Sequence, residues 1–294
     1  MSIRGISISI AIVGLVSCCL PAYAGDDPAA RFAEGKALLA KGDFDAALAA
    51  YAAAAKADPK SEQFRQDHAL LRRIIKMRQD VREEKDAKKF EATALALRVF
   101  YYDNALFREA LGLDQQVLDK LQTVDAAARL AETQLQLDMN AEAAEVLASV
   151  PDTDSTPQTE ILSGIALARQ NRIADAKVMA QKCPKPDQLG PGLLFDLARL
   201  HALIGNRDKA VGVLIQCFES TPPSRLEGFK AYAKTCKDLG SLVASAAEFD
   251  AVMRTQSKVK ESACSSGADC GKCPSKSSCS GGKTKADEKA QPKK

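Results

Sequence analysis

Tryptophan is absent from the sequence, aromatic residues make up only 5% of it, and histidine occurs twice, as His68 and His201. A β-sandwich needs strands that are rich in β-branched and aromatic side chains, so the scarcity of aromatics disfavours that class of fold. Catalysis that depends on several histidines is disfavoured by the same composition, because the two histidines are far apart in the sequence.

Common catalytic and binding motifs are missing as well. The sequence contains no phosphate-binding glycine loop, nucleophile elbow or H-E-x-x-H pair. The acidic stretch Asp152–Glu160 lacks the glycine and the final glutamate of a calcium loop. No basic footprint for nucleic acid occurs in the body of the chain. We therefore predict a protein that is not an enzyme and does not bind nucleic acid.

The 294 residues are 46% hydrophobic and are dominated by alanine and leucine, which favours packed helices. The first 24 residues, in "MSIRGISISIAIVGLVSCCLPAYAGDD", have the layout of a secretory signal peptide: Arg4, an uncharged run, and small residues before a cleavage site after Ala24. An uncleaved anchor is one alternative, although the run is short for a membrane span. Another alternative is a lipoprotein, because Leu15–Cys18 ("LVSC") resembles a bacterial lipobox that would lipidate Cys18. We expect export to a bacterial periplasm or cell envelope.

A repeating pattern follows the signal sequence, and its first copy is "AARFAEGKALLAKGDFDAALAAYAAAAKADP". Counted from Pro28, small residues stand at positions 8, 20 and 27, large ones at 17 and 24, and proline at 32: Gly35, Ala47, Ala54, Phe44, Tyr51 and Pro59. Small residues let two antiparallel helices approach closely, and proline ends the second helix. The pattern resembles the tetratricopeptide repeat, a 34-residue helix–turn–helix unit.

Weaker copies of the pattern recur at nearly the same spacing. They begin at about Glu91, Asp125, Pro157, Pro191 and Leu226, and the last places Gly240 in its turn and Phe249 in its second helix. The register from Asp125 places Ala144 at position 20. The resemblance therefore implies an all-α fold, a right-handed α-solenoid of such hairpins over residues 25–255.

Residues 61–90 interrupt the pattern, because they are highly charged and contain no glycine or proline. They fit either a degenerate repeat or one long helix. Strict alternation of first and second helices requires an even number of helices between the copies at Pro28 and Glu91, so we predict a break near Glu84–Lys88. Charges at helical spacing here indicate a solvated helix.

The resemblance also implies a concave surface that binds a protein or peptide partner. Positions 2, 5, 9 and 12 of each unit commonly face that groove. Our candidates at these positions are Arg129, Thr133, Ile161, Ile165, Phe195, Arg199, Lys230 and Lys234. Such a groove would be basic towards its C-terminal end and would suit an acidic ligand. The alternative is that these charges are ordinary solvated helix residues. The first repeat has Phe32 and Lys36 where chaperone-binding members of the family have a Lys/Asn clamp, so chaperone-tail binding is disfavoured.

Nine cysteines fall into three groups, of which Cys18 and Cys19 would leave with the signal peptide. In the body, Cys183 and Cys217 occupy position 27 of successive repeats, which are too far apart for a disulfide, and we predict that both fill a small core site. Cys236 approaches Cys217 in the repeat pattern, and the same interpretation applies to it.

Residues 256–294 form a tail rich in Ser, Gly and Lys, with nine lysines against four acids. Such a composition does not fold unaided. Its cysteines, Cys264, Cys270, Cys273 and Cys279, are spaced C-x5-C-x2-C-x5-C. They fit a Zn or Cu site, two disulfides formed after export, or a thiol–disulfide centre at "CGKC". The basic tail, or a lipid on Cys18, would bring the protein to a membrane.

We thus expect an exported scaffold that binds a protein or peptide. The alternative is a metal-binding or thiol-redox accessory protein that acts through its tail, with no cofactor certain.

Overall fold

The structure is a computed structural model that describes residues 27–260. The signal sequence, Cys18 and the four tail cysteines lie outside the described residues. Within residues 27–260 the chain forms fourteen α-helices and three short 3-10 turns and contains no strand, so the predicted all-α class is confirmed. The helices gather into two compact units, one ending at Asp154 and the other beginning at Ser155.

The first unit contains seven helices, and each packs against the next along the chain. They are α1 (Pro28–Ala40), α2 (Phe44–Ala57), α3 (Glu62–Glu83), α4 (Ala87–Asp103), α5 (Phe107–Leu121), α6 (Val124–Gln136) and α7 (Asn140–Ala148). A 3-10 turn, Asp152–Asp154, ends the unit.

The second unit contains four helices in two hairpins, then the similarly long α12 and two short helices. They are α8 (Pro157–Arg169), α9 (Ile173–Lys182), α10 (Pro191–Leu203), α11 (Arg207–Ser220), α12 (Pro223–Thr235), α13 (Gly240–Val243) and α14 (Ala246–Met253). Two 3-10 turns, Pro186–Gln188 and Lys237–Leu239, lie between these helices. The second turn packs against α10.

Helix starts follow from capping residues and prolines in the sequence. Side chains that accept a hydrogen bond from the first turn precede six helices: Asp27, Asp43, Ser61, Asp86, Thr123 and Thr156. Proline, whose missing N–H has no helical partner to lose at this position, opens α1, α8, α10 and α12. These local signals set where the hairpins begin.

A residue with left-handed backbone conformation ends the first helix of each hairpin. These residues are Gly42, Ala105, Asp138, Asn171 and Gly205, with φ of 78°, 53°, 57°, 63° and 81°. The last four are 33, 33 and 34 residues apart. Each turn leads at once into the second helix, so a three-residue link makes the two helices antiparallel neighbours.

Two glycines at position 8 of the pattern allow the close helix approach that the sequence predicts. A Cβ on Gly35 would meet the ring of Tyr51 in α2. A Cβ on Gly164 would lie 2.7 Å from a methyl carbon of Leu200 and 3.3 Å from the Cβ of Met179. Neither position has room for a side chain, which confirms the packing reason for glycine there.

The third clear hairpin is shifted by one residue from its expected register. Its turn residue is Asp138, which sets the first position at Val124 rather than Asp125. Ala143 is consequently the fully buried small residue, whereas Ala144, expected at position 20, is half-buried.

A single long helix, α3, fills the region that interrupts the repeats. Its 22 residues end at Glu83 and α4 begins at Ala87, so the break lies where it was expected. The predicted even number of helices between the first hairpin and α4 is wrong, because α3 is one helix. It is anchored by aromatic and aliphatic contacts, including the Phe64 ring 4.7 Å from that of Phe32 in α1.

The last expected repeat does not form a regular hairpin. Its first helix begins at Pro223, and Gly240, expected in the turn between two helices, instead begins α13 with φ of −53°, unlike the left-handed turn residues of the other hairpins. The expected second helix is split into the short α13 and α14. The pattern therefore predicts too much regularity after α12.

Candidate functional site

Most of the side chains predicted to line a binding groove are buried. Thr133, Ile161, Ile165, Phe195, Arg199 and Lys230 are each at most 6% exposed. Arg129 keeps 15% of its side chain exposed, and Lys234 is exposed. The six buried residues offer no free surface to a ligand, which corrects the expectation that the repeat position alone places them in an open groove.

Thr133 belongs to a buried polar cluster in the first unit, centred on Asp114 of α5. Arg98 of α4 donates from its Nε to both carboxylate oxygens, at 3.1 and 3.0 Å, and the Thr133 hydroxyl donates to one of them at 2.6 Å. The second carboxylate on Arg98 is Glu132, 2.9 Å away. We call this set the Asp114 cluster; it joins α4, α5 and α6 through charge-assisted hydrogen bonds.

Burial and charge shift the pKa values inside the Asp114 cluster. Burial alone would lower the pKa of Arg98, but the carboxylates of Glu132 and Asp114 outweigh it and raise the pKa. Burial, with Glu132 next, raises the pKa of Tyr102, whose hydroxyl lies 2.6 Å from that of Thr133. Every charge in the cluster has a partner, so these residues hold helices together and are not free to recognise a ligand.

Arg199 belongs to a comparable cluster in the second unit, centred on Asp238 in the turn Lys237–Leu239. Arg169 of α8 donates to its two oxygens at 2.9 and 3.0 Å, and Arg199 of α10 donates to one of them at 2.9 Å. Arg199 also contacts Asp196 at 2.6 Å. We call this set the Asp238 cluster. Burial, opposed by Arg199, raises the pKa of Asp196.

The predicted basic end of the groove is largely neutralised. Lys230 is 6% exposed and its Nζ lies 3.4 Å from a carboxylate oxygen of Glu227. Arg129 contacts Glu91 at 3.3 Å. Lys234 alone among the eight candidates is an exposed cation.

The three cysteines of the body are free thiols, as expected from their spacing. Cys217 and Cys236 are buried, which confirms them as small core residues. Cys183 is only half-buried, because α9 ends at Lys182 and leaves it just beyond the helix. Burial raises the pKa of Cys183 and of Cys217 to about 12, so both are thiols rather than thiolates at neutral pH.

Exposed apolar side chains concentrate on α3 and α4 of the first unit. Leu70 is 46% exposed, Leu95 39% and Val99 60%, and Phe100 and Met77 are half-buried beside them. We call these five residues the α3–α4 face. Large apolar side chains exposed together commonly mark an interaction surface.

Two hollows lie along the α3–α4 face. One, of about 550 Å³, is lined by Leu70 and Phe100 with Lys36 and Asp103. The other, of about 470 Å³, is lined by Met77, Arg73 and Ala96, among others. Acidic, basic and apolar side chains all line these hollows, a mixture that suits a segment with apolar anchors and mixed charges.

Sequence reasoning missed the α3–α4 face, although the signal was present. Leu95 and Val99 stand at positions 5 and 9 of the copy that begins at Glu91. The position rule used for later copies would have named both. Leu70 lies in α3, outside any repeat, so its exposure could not be read from the pattern.

The hairpins are tetratricopeptide-like. Their period, their short links with a left-handed turn residue and the small residues at the contact between helices all agree with that unit. No protein-family model and no curated protein matches the chain. A tetratricopeptide repeat protein from Parabacteroides merdae ATCC 43184, known from its crystal structure, is similar to it: 14% sequence identity, a TM-score of 0.41, and coverage of 78% of this chain and 93% of that one. The resemblance of the hairpins to the tetratricopeptide unit therefore rests on their own period, links and helix contacts.

Metal-binding and membrane-spanning features can be assessed for residues 27–260. No group of three or more His, Cys, Asp or Glu side chains in that range is placed to hold a metal ion. No helix there has the length and apolar character needed to cross a bilayer. The predicted ligands Cys264, Cys270, Cys273 and Cys279 lie outside the described residues.

Proposed function

We propose that this protein is an interaction scaffold that binds a partner protein through the α3–α4 face. The observation that carries the proposal is the exposure of Leu70, Leu95 and Val99 on two neighbouring helices. A rigid helical array limits the conformational entropy lost on binding, which favours such surfaces for docking.

The partner segment that suits the face is amphipathic. Its apolar side chains would fill the hollows beside Leu70 and Met77, and its charges would meet Lys36 and Asp103 in one hollow and Arg73 in the other. In this proposal the scaffold acts by binding and not by catalysis.

Site-specific photocrosslinking from Val99 in the native cell tests the proposal. Val178 of α9 is the matched control, because it is 50% exposed against 60% for Val99 but lies on a separate helix outside the α3–α4 face. We expect one predominant protein adduct from a crosslinking residue at 99 and none of that mass from 178. Leu95→Glu should abolish the adduct without lowering Tm, since Leu95 is exposed.

Equal adducts from both positions, or an adduct that persists in the Leu95→Glu variant, would contradict the assignment of this face. If Leu95→Glu loses the adduct but also lowers Tm, Leu95→Ala serves as a second variant, because it removes less apolar area and adds no charge. The proposal then requires that Leu95→Ala weaken the adduct at an unchanged Tm.

Export and the tail form a separate part of the proposal, supported by the sequence. We propose removal of residues 1–24 and residence in a bacterial periplasm or cell envelope, with a lipid on Cys18 as the competing outcome. The mass of the purified N-terminus distinguishes an end at Gly25 from a lipidated Cys18.

The competing function is metal binding or thiol exchange by the tail. Four thiolates at Cys264, Cys270, Cys273 and Cys279 would suit Zn or Cu(I). Metal analysis and a thiol count on the full chain test the metal site: stoichiometric metal that is lost on Cys270→Ser supports it, and two disulfides without metal reject it and leave the scaffold function standing.

A further inference from the structure

We propose that α3, α4 and α5 enclose a binding site for a phosphate-type dianion, held by Arg78, Arg82 and Arg108. We call this hollow the arginine pocket. It has a volume of about 200 Å³, lies within the first unit, and shares no residue with the α3–α4 face. The proposal therefore does not depend on the proposed scaffold function.

The arginine pocket has an apolar floor and a basic wall. Val81, Leu97, Tyr101 and Leu113, all at most 5% exposed, form the floor. The guanidinium groups come from two helices, Arg78 and Arg82 from α3 and Arg108 from α5. Walls that exclude water on one side strengthen the attraction between guanidinium groups and an anion.

The three arginines differ from those of the Asp114 and Asp238 clusters, which are paired with carboxylates. Within residues 27–260, Arg78, Arg82 and Arg108 form no ion pair, unlike Arg98, which lies 3.0 Å from Asp114. Arg78 stacks on the Phe44 ring with its guanidinium carbon 3.8 Å from the ring centre. Stacking fixes the plane of the group and leaves the N–H edges free to donate.

Glu109 is the one acid among the described residues that line the arginine pocket. Three arginines and one glutamate leave an excess of two positive charges. These charges act on Tyr101 in the floor of the pocket. Burial raises the pKa of Tyr101, Arg78 and Arg82 lower it, and Glu109 raises it further. The same groups would therefore act on an anion placed above that floor.

Charge and donor geometry together favour phosphate over carboxylate. A phosphate monoester carries about −1.5 to −2 at neutral pH and offers three acceptor oxygens, which matches the excess charge and the several forks of N–H donors. A single carboxylate would leave one positive charge unmatched.

Titration of the purified full-length chain with inorganic phosphate, followed by calorimetry, tests the site, with acetate as the comparison anion. We expect phosphate to bind at least tenfold tighter than acetate. Arg82→Gln with Arg108→Gln should weaken phosphate binding at least tenfold, since each removes a charge-assisted hydrogen bond. Arg65→Gln with Arg72→Gln is the matched control, because it removes two exposed charges from α3 outside the pocket.

A gain-of-binding variant guards against loss through misfolding. Glu109→Gln removes the opposing charge and should tighten phosphate binding several-fold, which a damaged pocket would not do. Equal effects of the two double variants, no gain with Glu109→Gln, or acetate binding as tight as phosphate would each overturn the proposal.

The affinities of two further ligands distinguish the possible sources of the phosphate. A peptide with one phosphoserine that binds at least tenfold tighter than glycerol 3-phosphate assigns the pocket to phosphorylated protein. The reverse order assigns it to a small phosphorylated molecule, and both results depend on the same three arginines.

Discussion

The copies that begin at Glu91, in the first unit, and at Pro191, in the second, use the same two repeat positions in opposite ways. In the second unit, Phe195 and Arg199 occupy positions 5 and 9 of their copy and are 3% exposed. In the first unit, Leu95 and Val99 occupy the same positions and are 39% and 60% exposed. A repeat position therefore fixes the direction of a side chain on its helix, but not whether another element covers it.

The covering element differs because the central acid comes from a different place. Asp238 lies in a turn beyond the second helical hairpin, and the turn packs on α10 to bring its carboxylate to Arg199. Asp114 lies inside α5, a repeat helix, so its cluster needs no additional segment. In the second unit, a later segment of the same chain therefore covers side chains on the first helix of a hairpin.

Removing the central acid should have the largest effect of any single change, and more so in the second unit. Asp238→Ala removes the carboxylate that Arg169 and Arg199 share; Arg199 keeps Asp196, but two buried arginines are affected rather than one, so we expect the free energy of unfolding to fall by about 3–5 kcal/mol. Asp114→Ala should lower the free energy of unfolding by about 1–3 kcal/mol, because Arg98 keeps Glu132. Urea unfolding measures both.

The control for these variants is Asp175→Ala, which breaks an ion pair with Arg172 whose side chains are 50% and 56% exposed. Its effect should stay below about 1 kcal/mol. Equal losses for Asp238 and Asp114 would show that the location of the acid, in a turn or in a helix, is irrelevant.

Crowding at the helix contacts should have the next largest effect and should be similar in both units. Gly164→Ala forces its Cβ into the side chain of Leu200, and Gly35→Ala forces it into the ring of Tyr51, each with a loss of about 1–3 kcal/mol. Gly212→Ala, in open space on α11, should instead stabilise by up to about 1 kcal/mol. Chemical denaturation gives the three values, and a stable Gly164→Ala protein would disprove tight packing there.

The left-handed turn residues allow a stabilising change in the first unit. Ala105 has φ of 53°, a conformation in which glycine is unstrained, so Ala105→Gly should raise the free energy of unfolding by about 0.5–1 kcal/mol. Ala53→Gly, at an exposed helical position of α2, should lower it by about 1 kcal/mol. Thermal unfolding measures both variants. A Tm for Ala105→Gly that is not higher than that for Ala53→Gly would contradict the prediction.

The smallest expected effect concerns His201 of the second unit. Burial, and then Lys209, hold its pKa below the ordinary value of 6.5. The unfolded chain therefore binds the proton at higher pH than the folded chain, and stability falls as the pH drops from about 6.5 through the folded pKa. His201→Gln should lessen that fall by about 1 kcal/mol or less. Unfolding curves at pH 7.5 and 5.5 measure it, with His68→Gln as the control; an unchanged pH dependence would contradict it.

The sequence predicted the hairpins well because their signals are local. Prolines at helix starts, small residues at contacts and short links are visible within one copy, so α1, α8 and α10 begin where the pattern starts. The register of α6 was missed by one residue: its turn residue, Asp138, stands 14 residues after Val124, the first residue of the helix. The length of α3 and the loss of the regular hairpin after α12 depend on packing between distant segments. A repeat period in the sequence gives no information about that packing.

The candidate site was less predictable for the same reason. Exposure of Leu70 and Val99 depends on what fails to pack on α3 and α4, and burial of Arg199 depends on a turn 39 residues later. The position of a residue within a repeat predicts neither this exposure nor this burial. The arginine pocket is built from helices on either side of the irregular α3–α4 junction, so no repeat rule would find it.

The position of Asp238 along the chain sets an order for biosynthesis. Asp114 follows Arg98 by only 16 residues in the sequence, whereas Asp238 follows Arg169 by 69 residues and Arg199 by 39. At roughly 5–20 residues per second, the ribosome makes the second unit's arginines several seconds before their counterion. Since the chain emerges N-terminus first, whether from the ribosome or across a membrane during export, we expect the helices of the first unit to pack early, while those of the second unit stay unpacked until Asp238 has emerged.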